Sequence, residues 1–401
     1  MTAAGVIANM EVVPEYDDDL TKLVADLNRA APSSRARERA HPSPDAFRGT
    51  GSIDTLLTQA VRAGASDLLV VAGAPASLRV NGSLTPGSGD SLAAEDVNAL
   101  LLPVLGAARY EELQRSRSAD FCFSRPEIGR FRANVHYQRG TLAASIRLLP
   151  AQIPTLESLR LPPALARLVE RKQGLVIVTG PTGCGKSSTL AALVELYNRT
   201  RRGHIVTIED PIEYQYANRS SIVEQIEVGH DAPGFAPALR SILRHSPDVI
   251  LVGEMRDPET MQTVLTAAET GHLVFSTLHT NDAPQTISRL VDSFPVSQQS
   301  QVRLQVSLAL AAVIAQQLVP AADGFGRYPA LEIMIATDAV RNLIRKGEDH
   351  QLRTQISVGR AEGMTTMEQS LGQLVRAGQV RGETALAHCF RPEDLRHYLA
   401  G

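Results

Sequence analysis

The sequence predicts an α/β protein, in which a mostly parallel sheet is covered by helices and a smaller α+β unit precedes it. Three observations carry this. From about residue 165, apolar runs of strand length alternate with segments of helical spacing, the pattern a parallel sheet produces because each crossover needs a helix. One such run, Leu175 to Thr179, passes straight into a glycine-rich loop and then into a helical stretch, Ser188 to Val194. Ahead of it, residues 51–150 mix short helical and alternating segments, set apart by Pro150, Pro154, Pro162 and Pro163.

Residues 1–50 are rich in Ala, Ser, Pro and charge, and read as a disordered N-terminal extension. Leu20 to Leu27 is its one amphipathic helix candidate. In residues 51–150, Ile53, Leu56, Leu57, Ala60 and Val61 share a helical face, and Asn81-Gly82 marks a hairpin turn. Leu92 to Leu113 is helical, interrupted near Pro103 and Gly106. Strands are expected at 68–71, 77–80, 121–123, 130–135 and 143–147, with a linker over 151–164. In residues 165–401 the strands are 175–179, 205–208, 249–252 and 273–278, and the last third, from about 296, is expected to be largely helical.

Bulk properties narrow the function. With Lys+Arg 40 against Asp+Glu 43, the net charge is -3, which disfavours a nucleic-acid binder built on a broad basic face. No apolar run approaches the ~18 residues of a membrane helix. The nearest, Val306 to Val319, is broken by Ser307, Gln316 and Gln317. With acidic residues from Glu11 to Asp19, a basic-then-apolar leader is not expected. A cytoplasmic protein is expected, peripheral to a membrane only through partners. Cys122, Cys184 and Cys389 are too scattered for a zinc site or a disulfide framework.

The chemistry begins in the glycine loop. Gly180, Pro181, Thr182, Gly183, Cys184, Gly185, Lys186, Ser187 and Ser188 form a phosphate loop in its proper context, after a strand and opening a helix. Its glycines let backbone N–H groups wrap a phosphate, and the helix start adds donors and a partial positive charge. Lys186 would reach the outer phosphates of ATP and the Ser187 hydroxyl would hold Mg²⁺. Cys184, near that helix start, has either a lowered thiol pKa or a simple space-filling role.

Three more strands trail polar groups. Glu209 and Asp210 follow the second, Glu254 the third and His279 the fourth. Such groups gather where open α/β sheets bind ligands. Glu254 is placed to orient an attacking water. Gly253 stands where an acid usually supports the metal, so Glu209 or Asp210 would supply that charge. Asp257-Pro258 reads as a helix start. His272 and His279 lie roughly 23 Å apart at ~3.3 Å per residue, so only His279 sits on the ligand side as a γ-phosphate sensor; His272 belongs to the far edge. Arginine fingers are sought in Arg132, Arg139 and Arg147, and in Arg240 and Arg244, with Arg147 and Arg132 preferred because strands hold them.

These residues together resemble the ATPases of type II secretion and type IV pili, most closely the pilus retraction (twitching motility) branch, over about residues 52–385. Gly180 to Ser187 is similar to that family's Walker A, Ile208 to Tyr214 to its Asp box, Pro247 to Asp257 to its atypical Walker B, and Ala267 to His279 to its His box. Ala339 to Lys346, including Arg341, Asn342, Leu343 and Ile344, resembles the retraction branch's C-terminal segment, departing at two positions. The four-cysteine zinc segment of assembly ATPases is missing. The resemblance implies a PAS-like domain before a RecA-like P-loop NTPase domain. It also implies a homohexamer with ATP and Mg²⁺ between the two domains, closed over by Arg132, Arg139 and Arg147, and pilus disassembly through an inner-membrane platform protein. The competing readings are a pilus assembly or type II secretion ATPase, a nucleotide-gated scaffold without turnover, and a nucleic-acid translocase, which the charge balance disfavours.

Overall fold

A computed structural model describes residues 47–80 and 82–400. The helix expected at Leu20 to Leu27, residues 1–46 as a whole and Asn81 lie outside the described residues.

The first half is built on a six-stranded antiparallel sheet in the order β3-β2-β1-β6-β5-β4. Its strands are β1 (Asp67–Val71), β2 (Ser77–Val80), β3 (Ser83–Pro86), β4 (Ser118–Arg125), β5 (Gly129–Gln138) and β6 (Thr141–Leu149). Helix α1 (Ile53–Arg62) starts at Ser52, whose hydroxyl accepts from Thr55 N–H, and buries Ile53, Leu56, Leu57 and Ala60. The fifth expected face residue, Val61, is 44% exposed, because a helix ten residues long shows the sheet only a narrow stripe. Helix α2 (Ala94–Ser116) is broken at Gly106, with φ 66 and ψ 172, as Pro103 and Gly106 foretold. The core gathers Leu68, Leu101, Phe131 and Ile146, and Phe47 is already buried in it.

The second half is a seven-stranded sheet in the order β13-β12-β7-β11-β10-β8-β9. Its members are β7 (Gly174–Thr179), β8 (His204–Glu209), β9 (Ile222–Glu227), β10 (Val249–Val252), β11 (Leu273–Thr277), β12 (Leu310–Pro320) and β13 (Arg327–Ile335). Every pair is parallel except β12 with β13. Helices α3 (Lys186–Thr200), α4 (Phe235–Ile242), α5 (Pro258–Glu269), α6 (Ala283–Asp292) and α7 (Val296–Ala309) connect the strands. The central strands β7 and β10 are buried along their whole length, so they read as unbroken apolar runs rather than alternating ones. Apolar cores line both faces.

The expectation that the last third is largely helical needs correcting, since β12 and β13 lie within it. The run through Val319 is a helix end joined to a strand: α7 stops and the chain turns extended at Leu310, φ -61 and ψ 132. A strand buried between two others carries no period-two signal, so a helix and such a strand look alike in sequence. The edge strand β9, with Glu224, Gln225 and Glu227, was not anticipated for the related reason that edges are kept polar.

Beyond β13 the chain is helical, starting with α8 (Asp338–Lys346). Arg341 donates to the carbonyls of Ser307, Leu308, Leu310 and Ala336, fastening the junction of α7 and β12. Leu343 and Ile344 are buried in the main core and Asn342 is half-buried. Helices α9 (Leu352–Val358), α10 (Met367–Arg376), α11 (Gly382–His388) and α12 (Pro392–Ala400) complete the fold; α10 and α12 bury Leu371, Val375, Leu395 and Leu399 beneath β12 and β13. Among the described residues no helix is long and apolar enough to cross a membrane.

Candidate active site

The registers of the central strands bring the polar loops to one edge. Thr277 pairs with Val178, Ser276 with Val252, and Val252 with Ile208. Because these strands are parallel and aligned, Gly180, His279, Gly253-Glu254 and Glu209 all leave the sheet on the same side. Crossing from β7, the order is β11 with His279, β10 with Glu254, then β8 with Glu209.

The phosphate loop has the backbone its glycines predict. Gly180, Gly183 and Gly185 have φ of 139, 79 and 93, and Gly185 opens α3. Lys186 Nζ rests on the carbonyls of Gly180 at 2.8 Å and Pro181 at 3.1 Å. Burial lowers its pKa, while electrostatic attraction from Cys184, Glu254 and Glu213 acts in the opposite sense. Lys186 therefore lies within electrostatic reach of Glu254. A cation held against carbonyls inside a glycine cradle fits a polyphosphate, which would replace those carbonyls as its partner. Ser188 Oγ lies 2.8 Å from Tyr214 Oη, tying the loop to the segment after β8.

Glu254 Oε2 is 2.7 Å from Arg256 Nε and 3.6 Å from His279 Nε2, with only 13% of its side chain exposed. The pairing with Arg256 is real, but it leaves the carboxylate facing His279 and Lys186 as well. Asp257 caps α5, accepting from Thr260 N–H at 2.8 Å, with Pro258 next. His272 sits at the opposite end of β11 and its Nδ1 meets the Ala267 carbonyl at 3.0 Å, as a structural histidine would.

Glu209 is buried, and burial pushes its carboxyl up to about 7 despite hydrogen bonds from Thr207, Gln225 and Glu213 N–H. Its strand is three positions from β7, roughly 14 Å at ~4.8 Å per strand, whereas Glu213 is within electrostatic reach of Lys186. Asp210 is exposed at the head of this segment. The reading of Cys184 as an activated thiol is not upheld: burial raises its pKa, with Lys186 and backbone hydrogen bonds only opposing.

The arginines divide. Arg132 and Arg147 lie on β5 and β6 as expected, but each is engaged by an acid of its own sheet: Arg132 bidentately by Asp120 at 3.0 Å, Arg147 by Asp67 at 3.2 Å. The charge of Asp210 also acts on Arg132, which places it near the segment after β8. Arg139 is exposed in the β5–β6 turn, with φ 48. Arg240 pairs with Glu259, and Arg244 is exposed just past the end of α4. Arg130 was not singled out in the sequence. It donates to the Ile212 carbonyl and to Glu227 Oε2, the latter at 2.8 Å, and so joins the two sheets of the molecule. Gln316 was noticed only as a polar interruption; it lies directly under the phosphate loop.

The family model described as type II/IV secretion system protein matches residues 144–387. The chain belongs to this family. It is similar to the type IV pilus retractation ATPase PilT of Pseudomonas aeruginosa, 43% identical over 343 residues, 86% of this chain and 99% of that one. It is also similar to the type IV pilus ATPase PilU of the same organism, 42% identical over 343 residues, covering 86% and 90%. Among solved structures, the pilus retraction motor PilT with bound ADP superposes with a TM-score of 0.80 at 44% identity, covering 87% of this chain and 100% of that one. The Legionella pneumophila ATPase DotB gives a TM-score of 0.74 at 28% identity, covering 84% and 94%. The family fold is thus an N-terminal domain followed by a RecA-like ATPase domain. In this secretion-family chain, the four segments recognised in sequence are the ones that meet at one sheet edge.

Proposed function

We propose that the chain is a ring-forming, Mg²⁺-dependent ATPase that powers retraction of a type IV pilus through an inner-membrane platform protein. One observation carries it: aligned strand ends set the phosphate-loop cation Lys186 and the partly buried acid Glu254 within electrostatic reach, with His279 3.6 Å from that acid. Similarity to PilT and PilU over most of the chain supports the pilus setting.

In this reading the backbone N–H groups from Gly180 to Ser188 bind the phosphates, and Lys186 exchanges its loop carbonyls for the outer phosphate oxygens. Ser187 would hold Mg²⁺, whose charge would neutralise those oxygens, with Asp210 or Glu209 as its indirect support. Glu254 accepts a proton from the attacking water, a role a carboxylate shielded from solvent performs well. His279 reads whether the terminal phosphate is there. Arg132, Arg147 and Arg139 swing from the N-terminal sheet toward the nucleotide, and loss of phosphate shifts the closed–open balance between the two domains.

Two measurements test it. Phosphate release by the purified chain separates turnover from a scaffold that only binds. In a piliated host, deletion should leave surface pili that do not retract; a bald mutant would assign the chain to assembly or secretion instead.

A further inference from the structure

Gln316 is 3% exposed, deep in the strand beside β7. Thr179 pairs with Ala315, so Gln316 stands next to Gly180, where the phosphate loop begins. Both ends of its amide are used. Nε2 donates to the Cys184 carbonyl at 2.7 Å, and Oε1 accepts from Thr189 Oγ at 2.7 Å. The amide orientation is fixed, because a carbonyl can only accept and so must face the NH₂ end. The loop presses close: a Cβ on Gly180 would come within 2.2 Å of the Gln316 carbonyl, and one on Gly185 within 2.9 Å of Gln316 Nε2.

The consequence follows from peptide geometry. In a trans peptide the C=O and N–H point in opposite directions. Drawing the Cys184 carbonyl onto Gln316 therefore turns the Gly185 N–H away from β12, the direction a bound phosphate needs. The Thr189 bond fixes the same amide to the first turn of α3, so loop and helix start are held as one unit. We infer that Gln316 is a positioning residue for nucleotide binding, which pre-orients the Cys184–Gly185 peptide of the phosphate loop from beneath. This rests on the nucleotide-binding reading above.

The test uses the full chain and a fluorescent N-methylanthraniloyl-ADP. Gln316→Met keeps the volume and removes the donor and acceptor. It is expected to weaken Kd by about tenfold or more, while losing the partners of the Cys184 carbonyl and Thr189 hydroxyl lowers the melting temperature without nucleotide by only a few degrees. Gln316→Glu adds a readout that packing alone would not move. Protonated, a buried Glu can still donate to Cys184 and accept from Thr189; ionised, it repels the Cys184 carbonyl. Its Kd relative to the parent at the same pH should therefore recover as pH falls from about 8 to about 5.5, since burial raises a carboxyl pKa. A parental Kd for Gln316→Met, or a Gln316→Glu ratio that does not change with pH, overturns the inference. If Gln316→Met does not fold, Thr189→Val replaces it and is expected to weaken Kd in the same direction; a parental value there also overturns it. Lys186→Ala separates the two levels. If the parent binds ADP and Lys186→Ala does not, unchanged Gln316 variants sink this inference alone. A parent that binds no ADP sinks the nucleotide reading.

Discussion

His279 Nε2 stands 3.6 Å from Glu254 Oε2, although 25 residues separate them in the chain. The imidazole is more than half exposed and the carboxylate is not. The acid is thus held while its histidine partner remains free to turn toward a ligand. Arg256 grips the same carboxylate at 2.7 Å, so Glu254 is oriented from a second side.

Replacement of Glu254 by Gln should preserve nucleotide affinity and lower hydrolysis by about 10²–10⁴-fold, the usual contribution of a positioned base. Shape is retained, while the proton acceptor and the negative charge facing Arg256 and His279 are lost. Steady-state phosphate release together with a binding titration checks this, and normal turnover in the variant would refute the assignment.

Arg147→Ala should lower hydrolysis in the assembled ring. Arg147 has a 65% exposed side chain and is bound, among the described residues, to Asp67 at 3.2 Å, a pair that solvent weakens, so its guanidinium can leave for a phosphate at small cost. Arg132 is gripped twice by Asp120 but also feels the charge of Asp210. Should Arg147→Ala turn over normally while Arg132→Ala does not, Arg132 is the finger.

Glu332 makes stability depend on pH. It is fully buried on β13, accepts from Ala283 N–H at 2.9 Å, and is pushed up to about 7 mainly by burial, with Asp282 and Glu368 adding and Arg353 opposing. Below the unfolded value of 4.5 both states are protonated and the group is neutral to stability. Between that value and about 7, the unfolded chain releases a proton that the folded one keeps, so stability falls as pH rises. The loss amounts to about 3 kcal/mol above pH ~7. Urea unfolding of Glu332→Gln and the parent at pH ~5 and ~8 should show the variant gaining on the parent at the higher pH. Equal differences at the two pH values would mean that Glu332 titrates normally.

Gly180→Ala should abolish nucleotide binding and destabilise the fold by about 2–4 kcal/mol, from overpacking and a φ that side chains avoid. The added methyl would meet the Gln316 carbonyl at 2.2 Å and Cys184 Sγ at 2.7 Å, and the strand carbonyl cannot move aside. Gly183→Ala, at φ 79 with no atom within reach of a Cβ, should cost only the backbone strain. Thermal melting of the two variants side by side distinguishes collision from strain.

Much of the site was legible because its chemistry is local. A strand, a glycine loop and a helix start are consecutive, and Glu209, Glu254 and His279 each follow their own strand directly. Parallel strands in register then had to present all of them on one edge. The strands β12 and β13 were hidden because continuous burial erases the alternation that marks a strand. Arg130, Glu213 and Gln316 were hidden for another reason: each acts through a partner far away in sequence. Arg130 reaches Ile212 and Glu227, and Gln316 reaches Cys184, 132 residues distant.

By itself the sequence determined the α/β class, the phosphate loop and the identity of the acids and histidine that trail the strands, since all of these depend on residue type and short spacing. Only the tertiary structure decided which of those groups meet. Strand order, set by how buried apolar faces pack and not by spacing, put Glu254 against His279, set Glu209 three strands from the loop, paired Arg132 and Arg147 with acids of their own sheet, and laid Gln316 beneath Gly180.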